Sequence, residues 1–466
     1  NEKFEKKLTN TVDPKIIEKK IEVYLGKKLI NQDQTVDLSG VPIGEKKTFT
    51  FKIVNLDTKE FLLSHDTPIY FENNSNGNFK IITYPSLKIL PNNNSYFTVE
   101  FKSTKKENNS CKIILKNRYS NLEDIVFNLN VIPVEWQIIS NDNFEAEEFQ
   151  NNSTFLYNGV LYLAYKDSTK QDKLTVKKMI NSQWQTVGYE GITLAGISET
   201  KIFVYDEIIY VAFKDGGKTG KISVMKFDGN NWSFVGKQGF TAGKVNYIDL
   251  YVDDGIIYVA FQDCEYQNRL SLMMHENDSW NYLGNPAISI GAVSYISLFV
   301  KEKIPYVGFT DHANEKKATV VFYKDSFWQS LGSDGFSEGE VSFNSIFVSD
   351  KNVYLGFRDN LNLRPVVMKY SENGWESLGN NGVTKSNGYN TSIFVRNEEV
   401  YLAYKDSEFG GKLSVSKYSN NIWDKIGKEL TIGEAEYINL LGNENSLYVS
   451  CRDGGRNNSI KVVIMK

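Results

Sequence analysis

Seven tryptophans divide most of the chain into units of nearly equal length. Successive tryptophans lie 48 residues apart at every step except one, where the interval is 47, and an aspartate recurs with the same period. Two residue types that recur with the same period across seven units indicate an internal structural repeat. The tryptophans are Trp136, Trp184, Trp232, Trp280, Trp328, Trp375 and Trp423. The aspartates are Asp167, Asp215, Asp263, Asp311, Asp359, Asp406 and Asp453.

One unit shows what the repeat contains. It has four short runs rich in β-branched and aromatic residues, at 232–236, 247–252, 257–263 and 270–274. Gly, Asn and Asp separate the runs, so each run is predicted to be a strand. Four strands in a repeat of this length are typical of the blades of a β-propeller. The sequence therefore predicts an all-β chain, with a seven-bladed β-propeller of four-stranded blades over residues 134–466.

The ends of the repeat array predict how the ring closes. The first tryptophan run, 135–140, has no preceding strands of its own unit, and the last unit ends at 460–466 without a tryptophan run. We expect the Trp136 strand to complete the final blade as its outermost strand, which leaves no exposed edge. The residue two positions after each repeated tyrosine is small, as at Ala260. We expect a tryptophan or tyrosine of the neighbouring blade to fill the space beside it.

Residues 1–133 lack the repeat. Residues 1–19 are rich in charge and are predicted to be a tail. Strand-like runs follow at 21–24, 48–54, 79–83, 96–101, 112–115 and 125–131. The segments 36–44 (VDLSGVPIG), 49–55, 87–91 and 97–101 resemble a Hydin-type immunoglobulin-like domain. That resemblance covers about residues 20–133 and implies an immunoglobulin-like β-sandwich, which in exported bacterial proteins usually acts as a spacer or stalk.

Charge and composition narrow the functional classes. The net charge of −4 gives no electrostatic case for nucleic-acid binding, and no apolar run approaches the ~18 residues of a membrane-spanning helix. The three cysteines are far apart, and the three histidines share no metal-ligand spacing. We therefore expect no nucleic-acid partner, transmembrane segment, metal or cofactor, and the oligomeric state stays open. The resemblance of residues 20–133 to a Hydin-type domain implies an extracellular or cell-surface location.

Loop lengths distinguish the two faces of the predicted ring. The connections after the tryptophan strand and after the repeated aspartate are longer and differ between units, and such loops on a rigid scaffold usually carry the binding function. Aromatic residues at the beginnings of the innermost strands, and basic residues that precede the repeated aspartate, belong to this face. We predict that they bind a ligand. They are Tyr247, Tyr295, Phe343, Tyr389 and Tyr437, with Lys214, Arg358, Lys405 and Arg452.

Each of these residue types also has a structural interpretation. The seven aspartates are expected to cap loops by accepting backbone N–H groups, and the seven tryptophans to pack between blades. The basic residues can equally be solvated tips, and the aromatic residues the lining of a channel. The sequence leaves these last two alternatives open.

Three functional hypotheses follow. The favoured one is a non-catalytic surface protein for binding or adhesion, with a propeller head, a sandwich stalk and a protein or glycan ligand on a cell or matrix surface. The alternative is a lectin, because the Trp-x-x-Leu-Gly pattern at 328–332 and 375–379 is similar to that of seven-bladed bacterial lectins with tryptophan repeats. That resemblance implies sugar pockets between blades. The third is a glycosidase or lyase; Glu199 is the nearest candidate for the unique acid it needs, and no catalytic residue is predicted.

Overall fold

The computed structural model describes residues 21–38, 41–74, 76–140, 149–379, 382–419, 421–455 and 459–465. The predicted charged tail, residues 1–19, lies outside the described residues. The chain divides between Pro133 and Val134 into two compact units. The described part is all-β apart from five short 3-10 helices, and it contains no helix that is long and apolar enough to cross a membrane.

The N-terminal unit is built from two main sheets. In order across the sheet, the larger one contains Lys28–Ile30, Ile21–Leu25, Lys46–Asn55, Asn94–Lys102 and Phe79–Thr83. The second contains Thr35–Asp37, Ile125–Val131, Asn109–Leu115 and Ile69–Glu72, and its first two strands are parallel. A short ribbon pairs Phe61–Leu62 with Lys88–Ile89. All six runs predicted as strands are strands; the five missed strands have two to four residues, too few for a period-2 pattern to show.

Alternating side chains form the core of this unit. In the strand Asn94–Lys102, Phe97, Val99 and Phe101 are fully buried, as expected for residues that share one face of a strand. The ring of Phe97 stacks on Phe51 with centroids 4.9 Å apart, and Phe127 of the second sheet lies 5.5 Å from Phe51. The two sheets therefore enclose a single apolar core.

The described part of the C-terminal unit contains seven four-stranded antiparallel sheets, which we number in the order of their first strands. Sheet 1 contains Phe149–Tyr157, Val160–Asp167, Lys173–Ile180 and Gln183–Thr186; sheet 2 contains Ile197–Tyr205, Ile208–Asp215, Lys221–Phe227 and Trp232–Phe234; sheet 3 contains Val245–Asp253, Ile256–Asp263, Arg269–Glu276 and Ser279–Tyr282. Sheet 4 contains Val293–Lys301, Ile304–Asp311, Lys317–Lys324 and Phe327–Ser330; sheet 5 contains Val341–Val348, Val353–Asp359, Arg364–Ser371 and Gly374–Ser377. Sheet 6 contains Gly388–Arg396, Glu399–Asp406, Lys412–Ser419 and Ile422–Gly427; sheet 7 contains Ala435–Gly442, Leu447–Asp453, Ser459–Met465 and Trp136–Ile138.

These sheets follow one another around a common axis. The first strand of each sheet contacts the first strand of the next, and the first strand of sheet 7 contacts that of sheet 1. The arrangement is propeller-like. Trp136 pairs with Met465, so the strand Trp136–Ile138 is the outermost strand of sheet 7. This pairing confirms the expected position of the Trp136 strand.

The repeated tryptophans connect neighbouring sheets. The indole N–H of Trp280 donates to the carbonyl oxygen of Val235 in the preceding sheet at 2.8 Å, and five other tryptophans make the equivalent bond at 2.7–3.0 Å. A Cβ added at Gly236, which has φ +62°, would lie 3.1 Å from Cδ1 of Trp280. In sheets 1 to 6 a glycine at this position therefore leaves room for the indole of the next sheet.

The space beside the repeated small residues is filled by aliphatic side chains. A Cβ added at Gly308 would lie 2.6 Å from Cδ1 of Leu355, and one at Gly356 would lie 2.9 Å from Cδ1 of Leu402. Both leucines lie on the second strand of the following sheet, one residue after its repeated tyrosine. The expectation that a tryptophan or tyrosine fills this space is wrong at these two positions, because the residue after the tyrosine points toward the preceding sheet.

The repeated aspartates are buried at the ends of the second strands. In all seven sheets one carboxylate oxygen accepts the backbone N–H two residues further on, at 2.9–3.2 Å. In five of them this bond caps a 3-10 helix. The helices are Ser168–Lys170, Gly216–Lys218, Cys264–Tyr266, His312–Asn314 and Ser407–Phe409.

Candidate functional site

A β-bulge interrupts the first strand of every sheet in the C-terminal unit. In sheet 3, Asn246 pairs with Gln262 and Asp249 with Ala260, so that Tyr247 and Ile248 together oppose one residue of the second strand. Tyr247 has a φ of +50°, in the left-handed region. An extra residue of this kind bends the strand and redirects a side chain. Here it brings Tyr247 to the central space that the first strands surround.

Six described residues occupy this bulge position with φ between +50° and +56°, and we call them the bulge ring. A left-handed conformation costs a residue with a Cβ roughly 1–2 kcal/mol, so the surrounding structure must hold it in place. All six line one central pocket of about 500 Å³. The bulge ring consists of Glu199, Tyr247, Tyr295, Phe343, Asn390 and Tyr437.

Three consecutive members of the bulge ring form an aromatic arc: Tyr247, Tyr295 and Phe343. The ring centroids of Tyr247 and Tyr295 are 5.4 Å apart, and those of Tyr295 and Phe343 are 4.9 Å apart. Burial raises the pKa of Tyr247, and the neighbouring Tyr295 and Glu199 raise it further. The Tyr247 hydroxyl therefore stays protonated at neutral pH and can donate a hydrogen bond at the edge of an apolar surface.

Polar side chains also line the pocket, together with Ile248, Ile296 and Ile438. Asn152 is only 8% exposed, and its Nδ2 has no hydrogen-bond partner among the described residues. Asn344 donates through Nδ2 to the carbonyl oxygen of Tyr295 at 3.0 Å, whereas its buried Oδ1 lacks a partner in the described part of the chain. Buried polar atoms are normally satisfied, so an unmatched donor and an unmatched acceptor among the lining residues of one pocket point to a ligand with hydroxyl or amide groups.

The structure brings four of the five predicted aromatic residues to the pocket and leaves one outside. Tyr389 pairs with Lys405, one residue before the bulge, and Asn390 occupies the bulge position of sheet 6. The interpretation of Tyr389 as equivalent to Tyr247 is wrong. Tyr389 is aromatic like its supposed counterparts, but it precedes Asp406 by seventeen residues, whereas each described bulge residue precedes its repeated aspartate by sixteen. Counting back from the aspartate would have identified Asn390.

The four predicted basic residues do not line the pocket. Lys214 donates to Asn246 at 2.8 Å and lies 3.5 Å from Glu199. Arg452 forms an ion pair with Glu436 and lies 5.5 Å from the ring centroid of Tyr437.

The other two basic residues contact the following sheet. The guanidinium of Arg358 lies 4.2 Å from the ring centroid of Tyr389, and Lys405 pairs with Glu434 at 2.5 Å. All four cations thus support neighbouring residues at the periphery of the pocket.

Sequence reasoning missed the polar residues of the pocket because no repeat marks them. Two of them, Lys201 and Asn439, occupy the position two residues after the bulge, which is serine in four sheets. The serine accepts a backbone N–H from the next sheet, as Ser297 does from Ile346 at 3.1 Å. A repeat in which another residue replaces this serine would have indicated a pocket residue, and aligning the repeats reveals such replacements.

A second pocket of about 660 Å³ lies among the loops of sheets 4 and 5, with Phe336, Asp359 and Arg364 in its wall. Its Asp359 already accepts the Leu361 N–H and the Asn362 side chain. No described residue of this wall has a buried polar atom without a partner. The central pocket is the stronger candidate site.

Redox and metal chemistry have no evident centre in the described residues. Cys111, Cys264 and Cys451 form no disulfide there, and no group of three or more His, Cys, Asp or Glu side chains is placed to hold a metal ion.

No family model and no curated protein sequence matches the chain. Among solved structures, it is similar to a polysaccharide lyase of family PL25, an ulvan lyase, with 10% identity over 70% of this chain and 93% of that one and a TM-score of 0.46. It is also similar to a mutant of the Aleuria aurantia lectin in complex with Fucalpha1-6GlcNAc, with 12% identity over 60% of this chain and 96% of the lectin and a TM-score of 0.41. A protein of unknown function from Dyadobacter fermentans matches with 13% identity over 72% and 99% of the two chains and a TM-score of 0.41. At these identities and TM-scores the likenesses carry no argument about function.

Proposed function

We propose that the C-terminal unit is a seven-bladed β-propeller that binds a carbohydrate in the central pocket without transforming it. The observation that carries this proposal is the aromatic arc of Tyr247, Tyr295 and Phe343, whose members contact one another at the pocket wall. Aromatic faces pack against the C–H surface of a pyranose, and their edges leave its hydroxyls free for polar partners.

Two amide side chains of the pocket support the same ligand class. Asn152 offers an unmatched N–H, and Asn344 offers an unmatched carbonyl oxygen. A sugar hydroxyl both donates and accepts, so one ligand satisfies both amides while its apolar face lies on the aromatic arc. The pocket volume of about 500 Å³ is within the range of small-molecule sites.

A glycan microarray probed with the fluorescently labelled full chain tests this proposal. Tyr295→Ala removes the middle of the aromatic arc and is expected to lower glycan signals by about tenfold or more, which corresponds to ~1.4 kcal/mol of binding free energy. Tyr84→Ala is the matched control, because Tyr84 is exposed in the N-terminal unit. Folding of each variant is checked by circular dichroism. Glycan signals that survive in folded Tyr295→Ala would place the site elsewhere, and an array without signal would favour a protein ligand.

The proposal extends to the organisation of the chain. Residues 1–19 would be a charged tail, residues 20–133 an immunoglobulin-like stalk, and residues 134–466 the binding head of an adhesion protein at a cell surface or outside the cell. The single apolar core between the two sheets of the N-terminal unit supports the stalk assignment. Immunofluorescence on unpermeabilised cells tests the location, and staining that requires permeabilisation would contradict it.

A glycosidase is the second candidate, because Glu199 and Glu436 line the same pocket and two carboxylates are the usual apparatus for glycoside hydrolysis. Each is already engaged by a basic side chain, Glu199 by Lys214 and Glu436 by Arg452, which favours binding without hydrolysis. Mass spectrometry of array-positive glycans after prolonged incubation distinguishes the two functions. Cleavage that disappears in Glu199→Gln would replace the binding proposal with a hydrolase.

A further inference from the structure

The charged residues that line the central pocket each belong to an ion pair. Of the described residues that line it, three carry a formal charge, and each is paired with an opposite charge that is not itself a lining residue. In every pair the pocket-side member is the more exposed one. The pairs, pocket-side member first, are Glu199 with Lys214, Lys201 with Asp249, and Glu436 with Arg452.

We infer that the central pocket selects uncharged glycans over glycans that carry a carboxylate or an ammonium group, and that the three ion pairs determine this selectivity. The inference rests on the proposed carbohydrate-binding function and names the ligand class of the same site. The formal charges of the three pairs cancel, so the pocket offers no net charge to a ligand.

Displacing one member of a pair is costly because its partner is fixed. Asp249 accepts the backbone N–H of Leu298 at 2.7 Å and lies 3.3 Å from Lys201. A ligand carboxylate that bonded to Lys201 would therefore approach Asp249, which cannot move away, and the two anions would repel. A ligand ammonium at Glu199 would meet Lys214 in the same way, since Lys214 is also held by Asn246.

A sugar hydroxyl meets none of these costs. It can donate to Glu199 or accept from Lys201 while each ion pair stays intact, and hydrogen bonds to charged groups are stronger than those between neutral groups. The pairs thus act toward the ligand as fixed dipoles that bind hydroxyls and repel like charges.

The test is a microarray with equal numbers of neutral, uronate-containing and amine-containing glycans, probed with the full chain, Tyr295→Ala and two charge variants. Glu199→Gln leaves Lys214 uncompensated and is expected to raise binding of uronate glycans relative to neutral ones by about tenfold, the gain from one charge-assisted hydrogen bond. Lys201→Met leaves Asp249 uncompensated and should favour amine glycans to a similar extent. The controls are Glu302→Gln and Lys303→Met, in the exposed turn between the first two strands of sheet 4.

Each outcome decides one of the two claims. Tyr295-dependent enrichment of neutral glycans, with both shifts and silent controls, supports the inference. Tyr295-dependent preference for charged glycans, or absence of the shifts, overturns the inference and leaves the proposed function intact. Absence of any Tyr295-dependent glycan signal overturns the proposed function itself. If Glu199→Gln does not fold, Glu436→Gln tests the same sign of change through Arg452.

Discussion

Two sets of repeated positions in the C-terminal unit behave in opposite ways. The residue that connects the outer strand of one sheet to the preceding sheet is tryptophan in every repeat. The bulge ring keeps its backbone torsion within a few degrees, yet its six members are of four residue types. One set is constant in chemistry, and the other is constant only in conformation.

The difference separates the positions that hold neighbouring sheets together from the positions that can contact a ligand. In six sheets the tryptophan donates its indole N–H to the preceding sheet and fills the space above a glycine, and an indole supplies both the donor and the large ring. The bulge position requires only a left-handed backbone conformation, so its side chain can vary between repeats and can bind a ligand. The candidate site lies where the repeats share a backbone and differ in side chains.

The largest expected effect is the loss of a repeated tryptophan, and a dispensable tryptophan would contradict its structural role. Trp280→Ala removes a ring that stacks on Phe240 at 3.9 Å and leaves the carbonyl of Val235 without its donor. We expect a loss of about 3 kcal/mol in the free energy of unfolding. Urea unfolding measures it, with Tyr84→Ala as the control. A stable Trp280→Ala protein that no longer binds glycans would make the tryptophans a ligand platform.

The repeated small residue gives the next largest effect. Ala260 is fully buried and packs with Val307 of the following sheet in one apolar cluster. Ala260→Leu overfills this interface and should cost about 1–3 kcal/mol in urea unfolding. The matched control is Ala242→Leu, at an exposed loop position of the same repeat, which should be nearly neutral. An unchanged urea midpoint for Ala260→Leu would show that the sheets can separate to accept a larger residue.

The bulge ring can be tested through its backbone. At Tyr295 the φ of +50° penalises any side chain, so Tyr295→Gly should be more stable than Tyr295→Ala by about 1 kcal/mol, although both should lose glycan binding. At Tyr251, four residues after the bulge position and with no left-handed φ, the order should reverse. The same order at both positions in urea unfolding would mean that the bulge is not strained.

The sequence predicted the ring more fully than the pocket, and the reason is physical. Seven copies of one unit reinforce each other in the sequence, so the runs within the repeat predict the strands, and the incomplete ends of the array predict the pairing of Trp136 with the last strand. The pocket depends on side chains that differ from repeat to repeat, such as Glu199 and Lys201, and on a bulge position that residue type alone does not mark. Tyr389 shows the consequence, because an offset of one residue moved it from the bulge ring to a contact with Arg358.

One departure from the repeat lies beside a tryptophan of the constant set, and it should affect stability rather than binding. His275 packs on Trp280 with centroids 5.1 Å apart, where other repeats have Phe227, Tyr323, Tyr370 and Tyr418 beside their tryptophans. Burial lowers the pKa of His275, and Lys226 lowers it further against the opposing effect of Asp278. The folded pKa lies below the unfolded one, so the unfolded chain binds more protons as the pH falls. The contribution of His275 to stability is therefore complete above the ordinary histidine pKa of about 6.5 and declines below it.

His275→Tyr should reduce the fall in the urea midpoint between about pH 7.5 and 5.5. His65→Asn, at an exposed position of the N-terminal unit, should leave that fall unchanged. An equal loss in wild type and His275→Tyr would assign the acid sensitivity to other groups, and a change in glycan binding would show that the two sets of positions are not independent.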